Sequence, residues 1–251
     1  MTFRNRIHEA EQLKQEIDAR RPLPAPAMKQ LRDYYRVGLT YASNALEGSG
    51  LTESETRIVL EDGITIGGKQ LKEHLEAIGH AEAYDLLYRL ARQPAITEKN
   101  VRDLHRLFYF RIDPRNAGRY RKIGVVITGS TMQLPRPGEL KPRMQEMLVS
   151  LQARRASLHP IELAALLHIG LANIHPFLDG NGRTARLLMN LALLQAGYPI
   201  TIIPPVVRHE YIDALKASNR GENQPFINLV SSMVRESLLD YRRLLSNLAG
   251  E

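Results

Sequence analysis

The chain of 251 residues is long enough to bury a full hydrophobic core, and its 43% apolar and 24% charged residues are typical of a globular protein. It has no cysteine, which excludes disulfides, thiolate zinc sites and thiol redox chemistry. The net charge of +7 favours an anionic partner, but the densest basic runs are too short for a nucleic-acid tract, so we do not expect DNA or RNA binding.

The N-terminal part of the chain reads as a helix followed by a connector. Residues 3–19 form a polar helical pattern, and the proline-rich residues 21–26 stop it, so residues 1–27 are predicted as a helix with its connector. No stretch has the apolar length of a membrane span, and the first residues lack the apolar core of a signal peptide. We therefore expect a cytoplasmic protein without membrane contact.

From residue 28 onward the pattern is helical. Residues 28–46 place apolar side chains on one face, and Gly48 follows as a natural C-terminal stop. Thr97 is placed to cap a later helix, and a helix that starts at Arg183 is apolar nearly all round, which predicts a central, buried position. The other predicted helices cover residues 51–60, 69–91, 97–110, 138–153, 160–174, 206–219 and 225–246.

Residues 122–134 interrupt the helical pattern. Two short β-prone runs, residues 125–128 and 131–134, flank Gly129 and Ser130. Glycine supplies the positive φ of a type II′ turn, so we predict a β-hairpin. A lone hairpin is unstable in water, so this one must pack on the helices or bind a ligand, which makes it a candidate flap.

A glycine-rich loop, HPFLDGNGRTAR at residues 175–186, joins two apolar helices. A glycine turn that leads into a helix points several backbone N–H groups outward, where the helix dipole adds partial positive charge. Arg183 and Arg186 lie three residues apart on the first turn of that helix, where cations are unfavourable unless an anion lies between them. The pattern predicts a polyphosphate site; the alternative is a pair of arginines bridged to core carboxylates.

Two more side chains of the loop suit phosphate chemistry. Asp179 is a candidate Mg²⁺ ligand, because Mg²⁺ takes one or two protein carboxylates and completes its shell with phosphate and water; otherwise it is a helix cap. His175 is kept out of helical geometry by Pro176 and can face the anion pocket. A histidine with the ordinary pKa of about 6.5 can accept a proton from a hydroxyl at neutral pH.

The whole run resembles the HPFx[DE]GNGRxxR motif of the Fic family, enzymes that transfer AMP from ATP to protein hydroxyls, and the likeness extends from about Tyr34 to the last helix. It implies a mostly α Fic fold over residues 28–251, a helical bundle around a central buried helix with one β-hairpin flap. It also implies that His175 is the general base, that Asp179 holds Mg²⁺ and that Phe177 anchors the loop. The residues implied in phosphate binding are Gly180, Asn181, Gly182, Arg183 and Arg186.

The same resemblance bears on the reaction and on the nucleotide. Gly180 and Gly182 favour AMP transfer, because relatives that resemble phosphate-transferring toxins have alanine and lysine there. Asn219 resembles the adenine-contacting asparagine. The hairpin resembles a flap that lies over the nucleotide and positions an extended target segment by β-augmentation, through Val125, Val126, Ile127 and Thr128.

A second motif, SNALEG at residues 43–48, matches the [ST]xxxE[GN] inhibitory motif of many Fic proteins. Glu47 stands at the C-terminal end of the helix over residues 28–46, where the helix dipole disfavours a carboxylate. The resemblance implies that this motif, with Ser43 and Glu47, pairs with Arg186 and obstructs placement of the ATP γ-phosphate. We expect an autoinhibited enzyme; the alternative is an exposed helix-end glutamate.

The resemblance implies ATP as co-substrate, Mg²⁺, and a target protein that presents a Ser, Thr or Tyr hydroxyl near the flap. The chain itself is a second candidate substrate, and another copy of it is a candidate partner. Three other functions stay open: a hydrolase that removes AMP with Glu47 activating water, a nucleotide-sensing module, and a basic nucleic-acid-binding protein.

Overall fold

The computed structural model describes residues 3–127 and 132–249, and this part of the chain contains ten α-helices. The prediction of a mostly helical protein is confirmed. In chain order the helices are α1 (Ile7–Asp18), α2 (Ala25–Ala45), α3 (Glu53–Glu61), α4 (Leu71–Leu90), α5 (Glu98–Tyr109), α6 (Leu140–Ala153), α7 (Pro160–Ile174), α8 (Asn181–Gln195), α9 (Arg208–Ser218) and α10 (Gln224–Ala249). Short 3₁₀ turns at Pro137–Glu139 and Pro205–Val207 precede α6 and α9.

Helix α8 lies at the centre of the bundle, as its sequence predicts. Residues 183–193 are all buried, and α7, α4 and α5 pack around the helix. Its leucines Leu187, Leu188 and Leu191 belong to the main core, and complete burial of one such side chain stabilises the fold by about 1.5–3 kcal/mol. The first turn of α8 carries the glycine loop, so the loop rests on the most buried element of the molecule.

Local signals set the helix ends that matter for the site. Thr97 caps α5, as predicted, by accepting a hydrogen bond from the Asn100 amide. After α2, Gly48 adopts φ 97°, a left-handed conformation that glycine adopts without steric cost. Thr52 and Glu55 then form a capping box for α3. Glu47 therefore lies in a short connection between the end of α2 and the capped start of α3.

Helix α1 packs against α10, and its Leu13 and Ile17 belong to the same core as α8. The Arg242 guanidinium of α10 also donates to Glu16 of α1 at 2.6 Å. Within residues 3–127 and 132–249, no helix combines the length and the apolar character that crossing a bilayer requires.

The prediction of a β-hairpin flap is wrong for the described residues. Neither residues 125–127 nor residues 132–134 form a strand, and the predicted turn at Gly129 and Ser130 lies, with Thr128 and Thr131, outside the described residues. The Arg121 guanidinium links the two sides of this segment, because it donates to the carbonyls of Ile123 and Pro135, at 2.9 and 2.6 Å. Val126 is 89% exposed. Residues 125–127 pair with no strand among the described residues, and an isolated two-stranded ribbon is at best marginally stable in water.

Candidate active site

The loop at residues 175–186 begins with a left-handed residue. His175 follows the last turn of α7 with φ 51° and ψ 57°, and its amide donates to the Leu171 carbonyl, so it ends the helix as a C-cap. A non-glycine residue with positive φ costs free energy and is tolerated where the surroundings fix it. The chain therefore turns sharply at His175, and Pro176 follows where the helix cannot continue.

Two side chains of the loop fix its conformation. The Phe177 ring is fully buried and stacks on the His105 ring of α5, with the centroids 3.7 Å apart. The Asn181 side chain accepts from the Phe177 amide and donates to the Phe177 carbonyl, both at 2.9 Å. Phe177 thus anchors the loop, and Asn181 closes it.

His105 connects this loop to the segment that follows α5. Its Nδ1 accepts from the Gly118 amide at 2.8 Å, so Nε2 carries the proton and donates to the Asp179 carbonyl at 3.0 Å. Burial lowers the pKa of His105 to about 4, which keeps the ring neutral as this pattern requires. His105 is one of the residues that the sequence did not single out.

His175 has the geometry of a base. Its Nδ1 lies 3.4 Å from the Ala172 carbonyl, which can only accept, so the neutral ring carries its proton on Nδ1 and leaves Nε2 as an acceptor. Burial lowers the pKa of His175, and the nearby Arg121 charge acts in the same direction. The ring is therefore neutral at pH 7 and able to take a proton.

A cavity of about 320 Å³ opens beside His175. It is within the size range of small-molecule and cofactor sites. One part has apolar walls, which include Ile127, Ile212 and Leu215. The predicted site residues that line the cavity are Glu47, Ile127, His175, Asn181, Gly182 and Asn219.

Arg186 lies buried behind this cavity with four acceptors around its guanidinium. Nε donates to the Ser43 hydroxyl at 2.9 Å, and one terminal nitrogen donates to the Ser43 carbonyl at 2.8 Å and to Glu47 at 2.7 Å. The other terminal nitrogen donates to the Tyr211 hydroxyl at 3.1 Å, and that hydroxyl lies 3.0 Å from His168 Nε2. Ser43 and Tyr211 hold Arg186 in place independently of Glu47.

Glu47 separates Arg186 from the cavity. Its side chain is 37% exposed, whereas that of Arg186 is 2% exposed. A side-chain carbon on Gly182 would collide with the Glu47 carboxylate, so this carboxylate lies directly against the loop glycine. Burial alone would raise the pKa of Glu47, but the guanidinium groups of Arg186 and Arg183 outweigh it and hold the pKa below its usual value.

Arg183 does not share an anion with Arg186. It is 3% exposed, and its guanidinium lies 2.8 Å from Glu76 of α4, 3.5 Å from Asp179 and over the Phe108 ring at 4.3 Å. Each arginine thus has its own carboxylate in this structure, Glu76 for Arg183 and Glu47 for Arg186. Residues three apart on a helix differ by about 60° in direction, which is enough to send two long side chains to different partners.

The other predicted residues lie around the cavity without lining it. The Gly180 amide donates to Asp179 Oδ1 at 2.6 Å, and the Asp179 side chain is 45% exposed. Among residues 3–127 and 132–249, no group of three or more acidic or histidine side chains is placed to hold a metal ion. Val125 and Val126 do not line the cavity, and Thr128 lies outside the described residues.

Arg121 is a further residue that the sequence did not single out for the site. Its Nε donates to the His175 carbonyl at 2.9 Å, and its amide donates to the Pro176 carbonyl at 2.9 Å. Because the same guanidinium holds Ile123 and Pro135, it ties both ends of the flap segment, residues 122–135, to the loop.

Comparison with known proteins identifies this arrangement. The Fic/DOC family model matches residues 95–193, which include α5, Arg121 and the whole loop. The Fic-1 structure (residues 134–508) from C. elegans superposes with a TM-score of 0.84 at 30% identity, over 96% of this chain and 72% of that one. The chain belongs to the Fic family.

Other Fic proteins resemble it over most of its length. A Fic domain containing signaling protein from Bacteroides thetaiotaomicron superposes with a TM-score of 0.85 at 29% identity, over 96% of this chain and 98% of that one. "Protein adenylyltransferase Fic" from Drosophila grimshawi is 39% identical over 210 residues, and the namesake from Drosophila yakuba is 38% identical. The alignment covers 83% of this chain but 43% of the D. grimshawi protein. The chain thus spans less than half the length of these fly relatives.

Proposed function

We propose that this Fic protein is a protein adenylyltransferase, which transfers AMP from ATP to a Ser, Thr or Tyr hydroxyl of a target protein and of itself. The observation that carries the proposal is that His175 and the loop residues Asn181 and Gly182 line one cavity. Relatives with 38–39% identity that bear the name protein adenylyltransferase favour this chemistry over others that a nucleotide pocket could support.

His175 supplies the base. Its Nε2 accepts the proton of the target hydroxyl as the hydroxyl oxygen attacks the α-phosphorus of ATP. The new oxygen–phosphorus bond joins AMP to the target, and the bond to the β-phosphate breaks, so pyrophosphate leaves. The burial that lowers the pKa of His175 keeps Nε2 unprotonated at neutral pH.

The cavity accommodates both ends of the nucleotide. The triphosphate would lie at the N-terminus of α8, where backbone N–H groups and the helix dipole favour an anion, and the absence of a side chain on Gly182 would let phosphates approach the backbone once Glu47 moves away. The base lies against the apolar walls formed by Ile127 and Leu215, with the amide of Asn219 within the same lining.

Asp179 would hold Mg²⁺. Its half-exposed carboxylate beside the N-terminus of α8 fits an ion that takes few protein ligands and completes its shell with phosphate oxygens and water. The ion supplies charge neutralisation to the phosphates when it is bound.

The position of Glu47 supports the proposal that the protein is autoinhibited. The Glu47 carboxylate accepts a hydrogen bond from Arg186 that a γ-phosphate could otherwise accept. The same carboxylate fills the space next to Gly182, so a γ-phosphate would be excluded from that space. Transfer depends on aligning the hydroxyl oxygen with the α-phosphorus, and a misplaced γ-phosphate disturbs this alignment. We therefore expect the wild-type protein to bind ATP and to transfer AMP slowly.

The flap segment is the proposed docking place for the target. It is exposed at Val126 and tied to the catalytic loop by Arg121, and a target peptide in extended form would supply the partner strand that its β-prone residues lack. The hydroxyl of that peptide would then lie near His175.

The experiment is transfer of label from ATP labelled at the α- or the γ-phosphate, with the Glu47→Gly variant. We expect α-label and no γ-label on the protein, and no transfer when His175→Ala is added. Label from the γ-phosphate alone would replace AMP transfer with phosphate transfer, and binding of ATP without any label would leave a nucleotide-sensing module.

A hydrolase is the second candidate function, because Glu47 and His175 line the same cavity and Glu47 is an ionised carboxylate that could orient water. A modified target incubated with wild-type protein and Mg²⁺ would then release AMP without added pyrophosphate. The same incubation with Glu47→Gly should release none if Glu47 orients the water.

A further inference from the structure

Four charged side chains form a closed cycle beside the catalytic loop. The Glu76 carboxylate lies 2.8 Å from Arg183 and 3.7 Å from the Lys72 ammonium. Asp179 lies 3.5 Å from Arg183 and 3.9 Å from Lys72. Charges of opposite sign therefore alternate around a ring of Lys72, Glu76, Arg183 and Asp179, which we name the charge ring.

The charge ring has a buried side and an exposed side. The side chains of Glu76 and Arg183 are 8% and 4% exposed, whereas those of Lys72 and Asp179 are 52% and 45% exposed. A buried carboxylate is stable only with a partner, so Glu76 fixes the Arg183 guanidinium, and Phe108 packs against its other face. The buried Glu76–Arg183 pair therefore fixes the guanidinium with which the Asp179 carboxylate pairs.

Helix α4 supplies half of this ring. Lys72 and Glu76 are one turn apart on α4, and both point to the end of the loop that carries the proposed metal ligand. Tyr109 also faces Asp179, and burial together with the Asp179 and Asp113 carboxylates raises its pKa to about 12, so it adds no charge at neutral pH. The formal charge of the ring is zero.

We propose that Glu76 and Lys72 are positioning residues of the nucleotide site, which hold Arg183 and Asp179 in the charge ring and set how strongly Asp179 attracts a divalent cation. This proposal rests on the role given above to Asp179. Glu76 orients Arg183 toward Asp179 and balances its charge, and Lys72 offsets the charge of Asp179 from the solvent side. Neither side chain needs to touch the nucleotide.

The proposal predicts effects of opposite sign. Lys72→Met leaves the ring with a charge of −1, so a divalent cation should bind about threefold more tightly, the size expected for an exposed pair. Glu76→Gln leaves a charge of +1 and a misdirected Arg183, so the cation should bind about tenfold more weakly. General damage to the loop would weaken binding in both variants.

The test measures Mn²⁺ binding, in place of Mg²⁺, by electron paramagnetic resonance on the full chain with Glu47→Gly and His175→Ala, with and without ATP. The matched controls remove the same charges outside the site. Lys99→Met breaks the exposed Lys99–Asp103 pair on α5, and Glu82→Gln breaks the Glu82–Arg111 pair on α4. Both controls should leave the Mn²⁺ affinity unchanged.

We expect Lys72→Met to raise and Glu76→Gln to lower the Mn²⁺ affinity, while the two control variants leave it unchanged. Shifts in the same direction, no shift with Lys72→Met, or the absence of Mn²⁺ binding in every variant would overturn the proposal. If Glu76→Gln fails to fold, Lys72→Met decides alone, because its side chain is half exposed. Failure of Glu47→Gly to transfer AMP would instead count against the proposed function and would leave the Mn²⁺ result to be judged separately.

Discussion

Replacing Glu47 by glutamine separates the charge of the inhibitory side chain from its size. In the wild-type protein the carboxylate accepts from Arg186 at 2.7 Å and lies against Gly182. Glutamine keeps nearly the same volume and an amide oxygen that can accept the same hydrogen bond. Glycine removes the volume, the bond and the charge together.

The expected magnitude follows from the two kinds of hydrogen bond. A bond to a charged partner contributes about 1.5–3 kcal/mol and a neutral bond about 0.5–1.5 kcal/mol, so the change to glutamine weakens the pair by roughly 1 kcal/mol. Glu47 is 37% exposed, and solvent places the effect at the lower end. We expect Glu47→Gln to raise the transfer rate about fivefold and Glu47→Gly to raise it about 10- to 100-fold.

The assay is incorporation of AMP from α-labelled ATP into the protein, at an ATP concentration below saturation. Glu82→Gln on α4 is the control, since it removes a carboxylate that pairs with Arg111 and not with Arg186. A rate for Glu47→Gln equal to the wild type, beside an active Glu47→Gly, would refute the electrostatic part of the reasoning, because volume alone would then account for inhibition.

Other predictions concern pH, packing and the flap. The folded-state pKa of Glu47 lies below its usual value of about 4.3, so the pair with Arg186 is complete above that value and is lost only as the pH falls through the lower folded value. The ratio of label incorporation by Glu47→Gly to that by the wild type should therefore stay constant between about pH 5.5 and 8.5, since the titration of His175 affects both proteins alike. Because burial lowers the pKa of His175, the acid limb of kcat/KM for Glu47→Gly should have its midpoint below about 6.5, and a midpoint above that value would contradict the assigned base. Phe177→Ala should lower the free energy of unfolding in urea by about 3–5 kcal/mol, and a loss below about 1 kcal/mol would show that this ring does not anchor the loop. Arg121→Met in the Glu47→Gly protein should lower self-modification about tenfold, because it removes the guanidinium that ties the carbonyls of Ile123 and Pro135 to the carbonyl of His175 in the loop. The exposed Arg119→Met is its control, and a rate for Arg121→Met equal to that of the control would show that this link does not matter for transfer.

The sequence was most informative where local chemistry decides structure. The Thr97 cap, the glycine after α2 and the apolar run of α8 each act within a few residues, and the structure contains all three. The loop motif also indicated which residues lie together, because His175, Asn181 and Gly182 are close in sequence within one tight loop, and all three line the cavity.

The sequence was less informative where partners are distant along the chain. Arg183 meets Glu76, more than a hundred residues earlier, and Arg121 meets the carbonyls of His175 and Pro135. A signal for Glu76 did exist, since it shares one face of α4 with His80, Ala83 and Leu87, so a charge lies on an apolar stripe. The hairpin prediction failed because β-propensity measures how well a side chain fits a half-buried sheet, and the part of the chain that the structure describes contains no sheet for residues 125–127 to join.

The most direct test of the central claim is the intact mass of three proteins after incubation with ATP and Mg²⁺: the wild type, Glu47→Gly, and Glu47→Gly with His175→Ala. We predict that Glu47→Gly gains the mass of one or more AMP groups, that the wild type gains far less, and that the double variant gains none. No added mass on Glu47→Gly, or equal gains with and without His175, would contradict a transferase that uses His175 as its base and is restrained by Glu47.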